Sequence, residues 1–527
     1  MIPKPLYPSK LRPSTHHRSP SGKTLLTTEP DRPDGSASTL PAPSSAHAPG
    51  SLRELVAVAL PLVISSGSVT LMYVVDRIFL TWHSPDALAA AMPSSMVHWS
   101  LLSIPYGVAM YTNTFVSQYD GAGRPDRIAA SLWQAIYLSI FAGLILALCT
   151  PLSSAVFAWA GHAPGVQQME TRYLEVLCLG SLPFLLTGAL SGFFTGRGKT
   201  AVVMWVNVAA SLLNIGLDYL LIFGWGPIPA WGITGAAIAT VSAQLTAVVL
   251  YTLVLSRPET VRAFGLWTQR RFDPELFRRF LRFGLPNGAM FLVDVAGFTV
   301  FLLMLGQLGS DALAATNLAF NINSMAFVPM LGIGTAVMIL VGRRIGEGRP
   351  ELATRTAWTA FGLAACYMVL FSTIYLTIPE AILTPYAAMA DPEKFSQIEA
   401  LVVILLRYVA VYAFFDAMII VFSSAVRGAG DTRFGLWLTL VAAWIIMVLP
   451  TWIAIRTDQL TLHLGWIACT GFIVTLGIGF LIRFLGGRWK SMTVLEPDVK
   501  SESPLAPESA SQPPTHPDPQ PSPSPLA

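Results

Sequence analysis

Apolar residues occur along this chain in blocks of about twenty or more, separated by short polar or Gly/Pro-rich segments. A helix of about twenty residues crosses a bilayer core of about 30 Å, so each block predicts a membrane-spanning helix. Twelve such helices are predicted, six on each side of a long basic segment in the middle of the chain. Their predicted limits are 54–81, 93–118, 127–150, 168–194, 201–223, 233–256, 278–305, 313–341, 352–378, 400–426, 433–455 and 464–486.

The composition is that of a membrane protein. Hydrophobic residues make up 53% of the 527, and charged residues only 12%, about half of the roughly 25% that soluble domains carry. We therefore predict an all-α integral membrane protein surrounded by the lipid bilayer, and expect neither a nucleic-acid partner nor a cofactor. The four cysteines lie in apolar blocks and are interpreted as packing residues.

The basic residues predict the orientation of the chain. Of the 33 Lys and Arg residues, 28 fall in the two tails, the middle segment and alternate loops, all on one side of the predicted membrane. Lys and Arg concentrate in cytoplasmic loops. Both termini are therefore predicted to be cytoplasmic, in a plasma membrane that would be the inner membrane of a bacterium.

Polar segments divide the chain into five predicted regions. The Pro/Ser-rich residues 1–50 and 491–527 are predicted to be disordered cytoplasmic tails. Between them we predict an N-terminal six-helix lobe over 51–257, a cytoplasmic linker over 258–276 and a C-terminal six-helix lobe over 277–490.

The two halves repeat each other. A shift of 225 residues aligns Leu60-Pro61 with Leu285-Pro286, and Gly121-Ala-Gly-Arg-Pro-Asp126 with Gly346-Glu-Gly-Arg-Pro-Glu351. Each repeat holds an even number of spans, so both halves enter the membrane in the same direction. This predicts two six-helix bundles related by a pseudo-twofold axis along the membrane normal, a plan that transporters use. Channels and enzymes remain as alternatives.

Four aspartates lie inside predicted spans, namely Asp76, Asp218, Asp294 and Asp416. An anion at the bilayer centre costs at least ~2.5–3.5 kcal/mol, so such residues are functional candidates by default. Protonation or a bound cation would neutralise each carboxylate and make it a coupling site; the alternative is a buried hydrogen-bond partner that fixes helix packing.

The energy source is predicted from the glycine-rich turns of the repeat, Gly121–Asp126 and Gly346–Glu351. These turns lack the Lys-Ser/Thr pair of a phosphate-binding loop. We therefore expect an ion gradient to supply the energy.

The neighbours of the first two aspartates add further oxygen atoms. Asn214 precedes Asp218 by four residues, so both project from one face of a helix. Thr240 lies on a small-residue face of the next helix. With Asp76 these residues form an oxygen-only set, which suits a hard monovalent cation or a proton relay. A sodium ion held by Asp76, Asn214 and Asp218 is one prediction, and a proton is the other.

The order and spacing of these motifs resemble the multidrug and toxic compound extrusion (MATE) family, in its NorM-like branch. The likeness extends over residues 51–488. It rests on Val75-Asp76-Arg77-Ile78-Phe79, Arg197-Gly-Lys-Thr200, Asn214-Ile-Gly-Leu-Asp218 and Gly232-Ile-Thr-Gly-Ala-Ala-Ile-Ala-Thr240.

The resemblance implies a V-shaped pair of six-helix lobes that works as an antiporter. Such a protein exports cationic or amphipathic drug-like compounds in exchange for protons or sodium ions by alternating access, with no enzymatic step. We expect the chain to act as a monomer on small organic substrates.

The resemblance also implies roles for particular residues. The matches to the family's N-lobe cation site are Asp76, Asn214, Asp218 and Thr240. Asp294 and Asp416 match acidic residues on helices 7 and 10 that matter for coupling, and Pro61 matches a bending point in helix 1. Arg77 departs from the family pattern, which has Thr there. Adjacent helical residues do not face each other; if Arg77 points inward instead, it would compete with a bound cation.

Two alternative functions stay open at this point, one from the same superfamily and one from another class. A lipid-linked precursor flippase of the same superfamily should line its cleft with Lys or Arg side chains that hold phosphates. An intramembrane enzyme should carry a nucleophile or a metal-binding set at helical spacing. The predicted spans offer neither, which favours the exporter.

Overall fold

The computed structural model describes residues 47–160, 162–387 and 392–496. The regular elements in this part of the chain are helices, apart from an isolated bridge between Trp225 and Ile228. Eleven helices are long and apolar enough to span a membrane, and one pair bent by 45° counts as a twelfth. The predicted all-helical membrane fold is therefore confirmed. The predicted tails fall largely outside the described residues.

The twelve spans follow the order that the hydropathy predicts and are numbered here along the chain. Spans 1 to 6 are Leu52–His83, Pro85–Gly121, Pro125–Leu148, the bent pair Pro164–Leu179 and Ser181–Gly196, Thr200–Phe223, and Ile233–Leu255. Spans 7 to 12 are Pro274–Leu305, Ser310–Gly346, Pro350–Thr377, Pro392–Ala429, Thr432–Arg456, and Leu462–Leu485. Short helices cover Ser153–Ala160, Pro258–Phe264, Pro379–Ala387 and Arg488–Ser491.

Side-chain caps fix where several spans begin. The Ser51 hydroxyl accepts the N–H of Glu54 at 3.2 Å, and the Glu54 carboxylate accepts the N–H of Gly50 at 2.6 Å. The first bond satisfies an N–H group that the first helical turn leaves without a partner, and the second ties the residue before the N-cap to the same turn. At the start of span 7, Asp273 accepts the N–H of Leu276 at 3.0 Å.

Three spans that hydropathy predicts as continuous helices are irregular. Span 2 is interrupted at Tyr111, and span 11 contains a π-helical turn over Ala442–Val448. Span 4 bends at Gly180, where a Cβ atom would lie 2.2 Å from a methyl group of Val241. Hydropathy measures apolar length and carries no information on these local breaks.

Glycines bring the two bundles into backbone contact. A Cβ on Gly107 of span 2 would lie 2.5 Å from the Cα of Gly288 in span 7. A Cβ on Gly332 of span 8 would lie 2.7 Å from the backbone nitrogen of Val63 in span 1. The repeat shift of 225 residues carries the first pair onto the second. The contacts therefore obey the pseudo-twofold axis that the sequence repeat predicts.

A second pair of symmetric contacts lies nearer the loops. A Cβ on Gly121 would lie 2.1 Å from the carbonyl oxygen of Arg343, and a Cβ on Gly346 would lie 2.0 Å from that of Gln118. We call this end of the molecule the Arg-rich end; its loops cover residues 121–125, 197–200, 347–350 and 430–432. The two bundles are in close contact there.

Span 8 is the most enclosed of the eleven continuous spans. Of its most apolar stretch, 67% is buried, against 22% for span 9 at the periphery. Span 8 packs on spans 9 and 10 of its own bundle and also on spans 1 and 2 of the other. It therefore forms part of the wall between the bundles.

We predict that Gly288→Ala destabilises the protein. Its methyl group would lie 2.3 Å from the carbonyl oxygen of Ile104, a backbone atom that cannot rotate away, and such overpacking costs roughly 1–3 kcal/mol. The measurement is the melting temperature of the purified protein in detergent. Gly216→Ala is the matched control, because a Cβ there meets nothing within 4 Å. An equal effect of both substitutions would contradict the close contact.

Candidate functional site

Two buried aspartates of the N-terminal bundle interact electrostatically. Asp76 of span 1 is 8% exposed and Asp218 of span 5 is 0% exposed. The two spans pack together, and the two carboxylates lie within Coulombic range of one another. One oxygen of each, Asp76 Oδ1 and Asp218 Oδ1, is buried without a hydrogen-bond partner. The pair that the sequence predicts is thus brought together.

Asn214 orients one of these carboxylates. With its amide turned so that both bonds form, Asn214 donates to Asp218 Oδ2 at 2.8 Å and accepts the backbone N–H of Thr240 at 3.2 Å. The Thr240 hydroxyl donates to the carbonyl of Ala236 at 3.0 Å, which leaves lone pairs on its oxygen as acceptors. Three of the predicted site residues are therefore linked across spans 5 and 6.

The donor atoms suit a small hard cation or a proton. An ionised carboxylate oxygen buried without a partner is costly, and a cation or a proton at Asp76 and Asp218 removes that cost. Among the described residues, no group of three or more His, Cys, Asp or Glu side chains converges on one point. Oxygen-only donors favour the hard cations over soft transition metals.

Arg77 lies outside this site. Its side chain is exposed, whereas Asp76 beside it on span 1 is buried. Neighbouring helical positions point apart, which gives the outward placement of Arg77. The N-terminal carboxylate pair therefore has no guanidinium inserted between its members.

The C-terminal bundle holds a second carboxylate pair with a different counter-charge. Asp416 of span 10 is 6% exposed, whereas Asp294 of span 7 is accessible. Their charges interact with each other, and Asp294 also interacts with the guanidinium of Arg427. This pair thus has the guanidinium of Arg427 nearby, whereas Asp76 of the first pair interacts with the exposed guanidinium of Arg77.

A buried polar network joins the bundles at Arg427, and the sequence alone did not indicate it. Arg427 donates to Asn287 Oδ1 at 3.1 Å, and Asn287 Nδ2 donates to the carbonyl of Gly107 at 2.8 Å. The Tyr111 hydroxyl donates to the carbonyl of Arg427 at 2.7 Å. The available signal was Asn287 directly after Pro286, a polar residue in an otherwise apolar stretch of span 7.

An uncharged cavity of about 310 Å³ lies between the N-terminal bundle and span 8. Hydroxyl and amide groups dominate its polar surface, and none of its lining residues is Asp, Glu, Lys or Arg. Asn207 in its wall donates to the Ser65 hydroxyl at 2.7 Å. The lining residues are Leu62, Ser65, Ser66, Val69, Thr70, Tyr106, Met110, Asn113, Thr187, Ser191, Gly192, Thr195, Val203, Asn207, Val328, Leu331, Gly332 and Thr335.

Span 1 connects this cavity with the carboxylate pair. Thr70 in the cavity wall precedes Asp76 by six residues, which is about 9 Å along a helix. Pro61 lies just before the lining residue Leu62, inside the continuous helix. Proline has no N–H for the carbonyl of Ala57, so span 1 has one helical bond fewer at this point.

Comparison with known proteins places the chain in a family. The model of the MatE family matches residues 61–220 and 286–453, one segment in each bundle. A probable multidrug resistance protein NorM of Thermotoga maritima is 27% identical over 444 residues, covering 84% of this chain and 94% of the relative. Another, of Deinococcus radiodurans, is 29% identical over 451 residues, covering 85% and 98%.

A solved structure has the same fold. It is a multidrug resistance MATE family transporter of the MOP superfamily in an outward-facing conformation, with a TM-score of 0.74 and 21% identity. The match covers 83% of this chain and 96% of that one. The family model matches a segment in each bundle, and the solved structure shares the fold over most of the chain. The chain is therefore a multi-pass membrane protein that belongs to the MATE (MatE) family, a family of transporters and not of enzymes.

Proposed function

We propose that the chain is a secondary active antiporter that exports drug-like organic compounds in exchange for protons or sodium ions. The observation that carries the proposal is the buried pair of Asp76 and Asp218, each with an unpartnered oxygen, beside an uncharged cavity. The substrate class draws on relatives that are named multidrug resistance proteins. Cationic or amphipathic compounds of small size fit that class.

Coupling would act through span 1. This helix carries Asp76 and also the cavity residues Ser65, Ser66 and Thr70. A cation or proton at Asp76 and Asp218 removes the repulsion between the carboxylates and favours one packing of span 1 against span 5. A substrate in the cavity favours another packing. Two ligands that prefer different states of one element weaken each other's binding, which is the requirement for exchange.

The Arg-rich end would face the cytoplasm, in the inner membrane of a bacterium, and both termini would lie on that side. The excess of Lys and Arg in its loops supports this orientation. Because the bundles are in contact at that end, the described conformation would be closed toward the cytoplasm. We expect a monomer to complete the cycle, since both carboxylate pairs and the cavity lie within one chain.

The chemistry of the site supports a small hard cation or a proton as the coupling ion. Asp76, Asn214, Asp218 and Thr240 present oxygen atoms, which bind sodium and also relay protons. The second pair, Asp294 and Asp416, would contribute to coupling in the C-terminal bundle. We assign the primary ion site to the first pair, because both of its aspartates are buried and each has an oxygen without a partner.

The lipid-linked precursor flippase is the less favoured function. Its substrate carries phosphates, which Lys and Arg side chains bind. The cavity wall contains no basic residue, and the partly buried Arg427 between the bundles donates to Asn287.

The first prediction concerns gradient coupling. Purified protein in liposomes should accumulate ethidium, a fluorescent organic cation, when a pH or sodium gradient is imposed in the exchanging direction. Asp76→Asn and Asp218→Asn should reduce this uptake to the level of protein-free liposomes, because neither amide can release a proton or balance a cation's charge. Applying each gradient alone identifies the ion.

Asp86→Asn is the matched control for these variants. Asp86 is exposed in the first turn of span 2, so its loss should leave gradient-driven uptake intact. Ethidium flux that is independent of any gradient, or that persists in Asp76→Asn, would contradict antiport through this pair.

The second prediction concerns the cavity. Ser66→Phe should weaken ethidium binding tenfold or more, which is ~1.4 kcal/mol or more, because the ring fills the space beside Ser65 and Thr70. Fluorescence titration of detergent-purified protein measures it. Ile64→Phe adds a ring to an exposed position, 45% accessible, on the same helix and should bind normally. Equal ethidium affinity of the two variants would show that the substrate binds outside this cavity.

A further inference from the structure

The last described residues of the chain cross from one bundle to the other. After span 12, the N–H of Val494 and the hydroxyl of Thr493 both donate to Oε1 of Gln118 in span 2, at 2.9 and 2.8 Å. Val494 is fully buried and Leu495 is 8% exposed. This segment, Thr493–Glu496, therefore packs against the N-terminal bundle although it follows the last helix of the C-terminal one.

The carboxylate of Glu496 occupies a site made by both bundles. Both of its oxygens accept from the Tyr119 hydroxyl at 2.8 Å, and Arg127 donates to Oε1. Tyr119 and Arg127 belong to spans 2 and 3. From span 7 of the other bundle, Arg279 approaches Glu496 Oε1 at 2.5 Å. One carboxylate thus pairs with a guanidinium from each bundle.

The sequence repeat explains why this site needs an added carboxylate. On the opposite side of the pseudo-twofold axis, Glu54 of span 1 pairs with Arg344 of span 8, and both side chains are only 6% exposed. The shift of 225 residues carries Glu54 onto Arg279 and Tyr119 onto Arg344. The equivalent position therefore has a guanidinium and a phenol but no acid from the spans, and Glu496 supplies it.

We propose that Tyr119, Arg127 and Arg279 form a carboxylate-binding site between the bundles, that its ligand is Glu496 of the chain's own C-terminal segment, and that its occupancy stabilises the conformation closed at the Arg-rich end. The segment Thr493–Glu496 acts as a latch that replaces the missing half of a symmetric pair of salt bridges. This proposal holds whichever ion drives export.

The latch is intact over the physiological pH range. Burial by itself raises the pKa of Glu496, but the hydrogen bond from Arg127, the charge of Arg279 and the hydrogen bond from Tyr119 outweigh it and lower the pKa to about 2. A carboxyl group whose pKa is depressed on folding contributes stability above its ordinary pKa and loses it only as the pH falls toward the depressed value. Opening must therefore break the latch without help from protonation.

The test is a distance measurement across the Arg-rich end. Spin labels are attached at Lys199→Cys and Glu351→Cys, which are exposed positions of the two bundles, in a background without the four native cysteines. Double electron–electron resonance gives the populations of short and long distances. Glu496→Gln, and separately a chain that ends at Met492, should increase the long-distance population severalfold.

Asp126→Asn is the matched control, because Asp126 lies at the same end and pairs with Arg124 of its own bundle. It should leave the distance distribution unchanged. Unchanged distributions in both Glu496→Gln and the shortened chain would overturn the latch, and so would an equal shift in the control. Glu496→Gln leaves Arg127 paired with Asp273 at 3.0 Å, so the melting temperature should show that the variant is folded.

Discussion

The close approach of the two bundles at the Arg-rich end is the constraint on which the rest of the structure depends. Gly121 and Gly346 bring each bundle's backbone against a carbonyl of the other, and Gly107 and Gly288 do the same nearer the membrane centre. Without side chains at these points, spans 1, 2, 7 and 8 approach closely enough to seal that end. Because that end is sealed, the space above it becomes a cavity walled by both bundles. Charged residues at the sealed end pair across the interface between the bundles.

Symmetry governs the backbone contacts and fails for the charges. The repeat shift maps one glycine contact onto the other, yet Glu54 maps onto Arg279, and the aspartates of the two bundles lie at non-equivalent positions. A duplicated scaffold keeps small residues wherever two backbones touch, because any Cβ would clash. Charged residues at other positions can differ between the two halves. Asp294 thus has the guanidinium of Arg427 nearby, whereas Asp76 has the exposed Arg77 next to it in the chain.

Much of this organisation could be predicted from the sequence. Hydropathy gave the number and order of the spans. Acidic residues inside the spans and their oxygen-bearing neighbours at helical spacing pointed to Asp76, Asn214 and Asp218, which the structure brings together. The bend at Gly180, the π-helical turn in span 11 and the network at Arg427 could not be predicted, because they depend on which side chain of another helix lies opposite. The same holds for Glu496, which sits in a segment predicted as tail.

The central claim is that the coupling ion and the substrate exclude one another through span 1. The most direct measurement is ion release from purified protein when ethidium is added, followed as protons in a weakly buffered solution or as radioactive sodium. If binding at the cavity and at Asp76 and Asp218 is linked, ethidium should displace the ion in the wild type, and the ion should weaken ethidium binding by the same factor. Saturable ethidium binding without release of either ion would contradict the account.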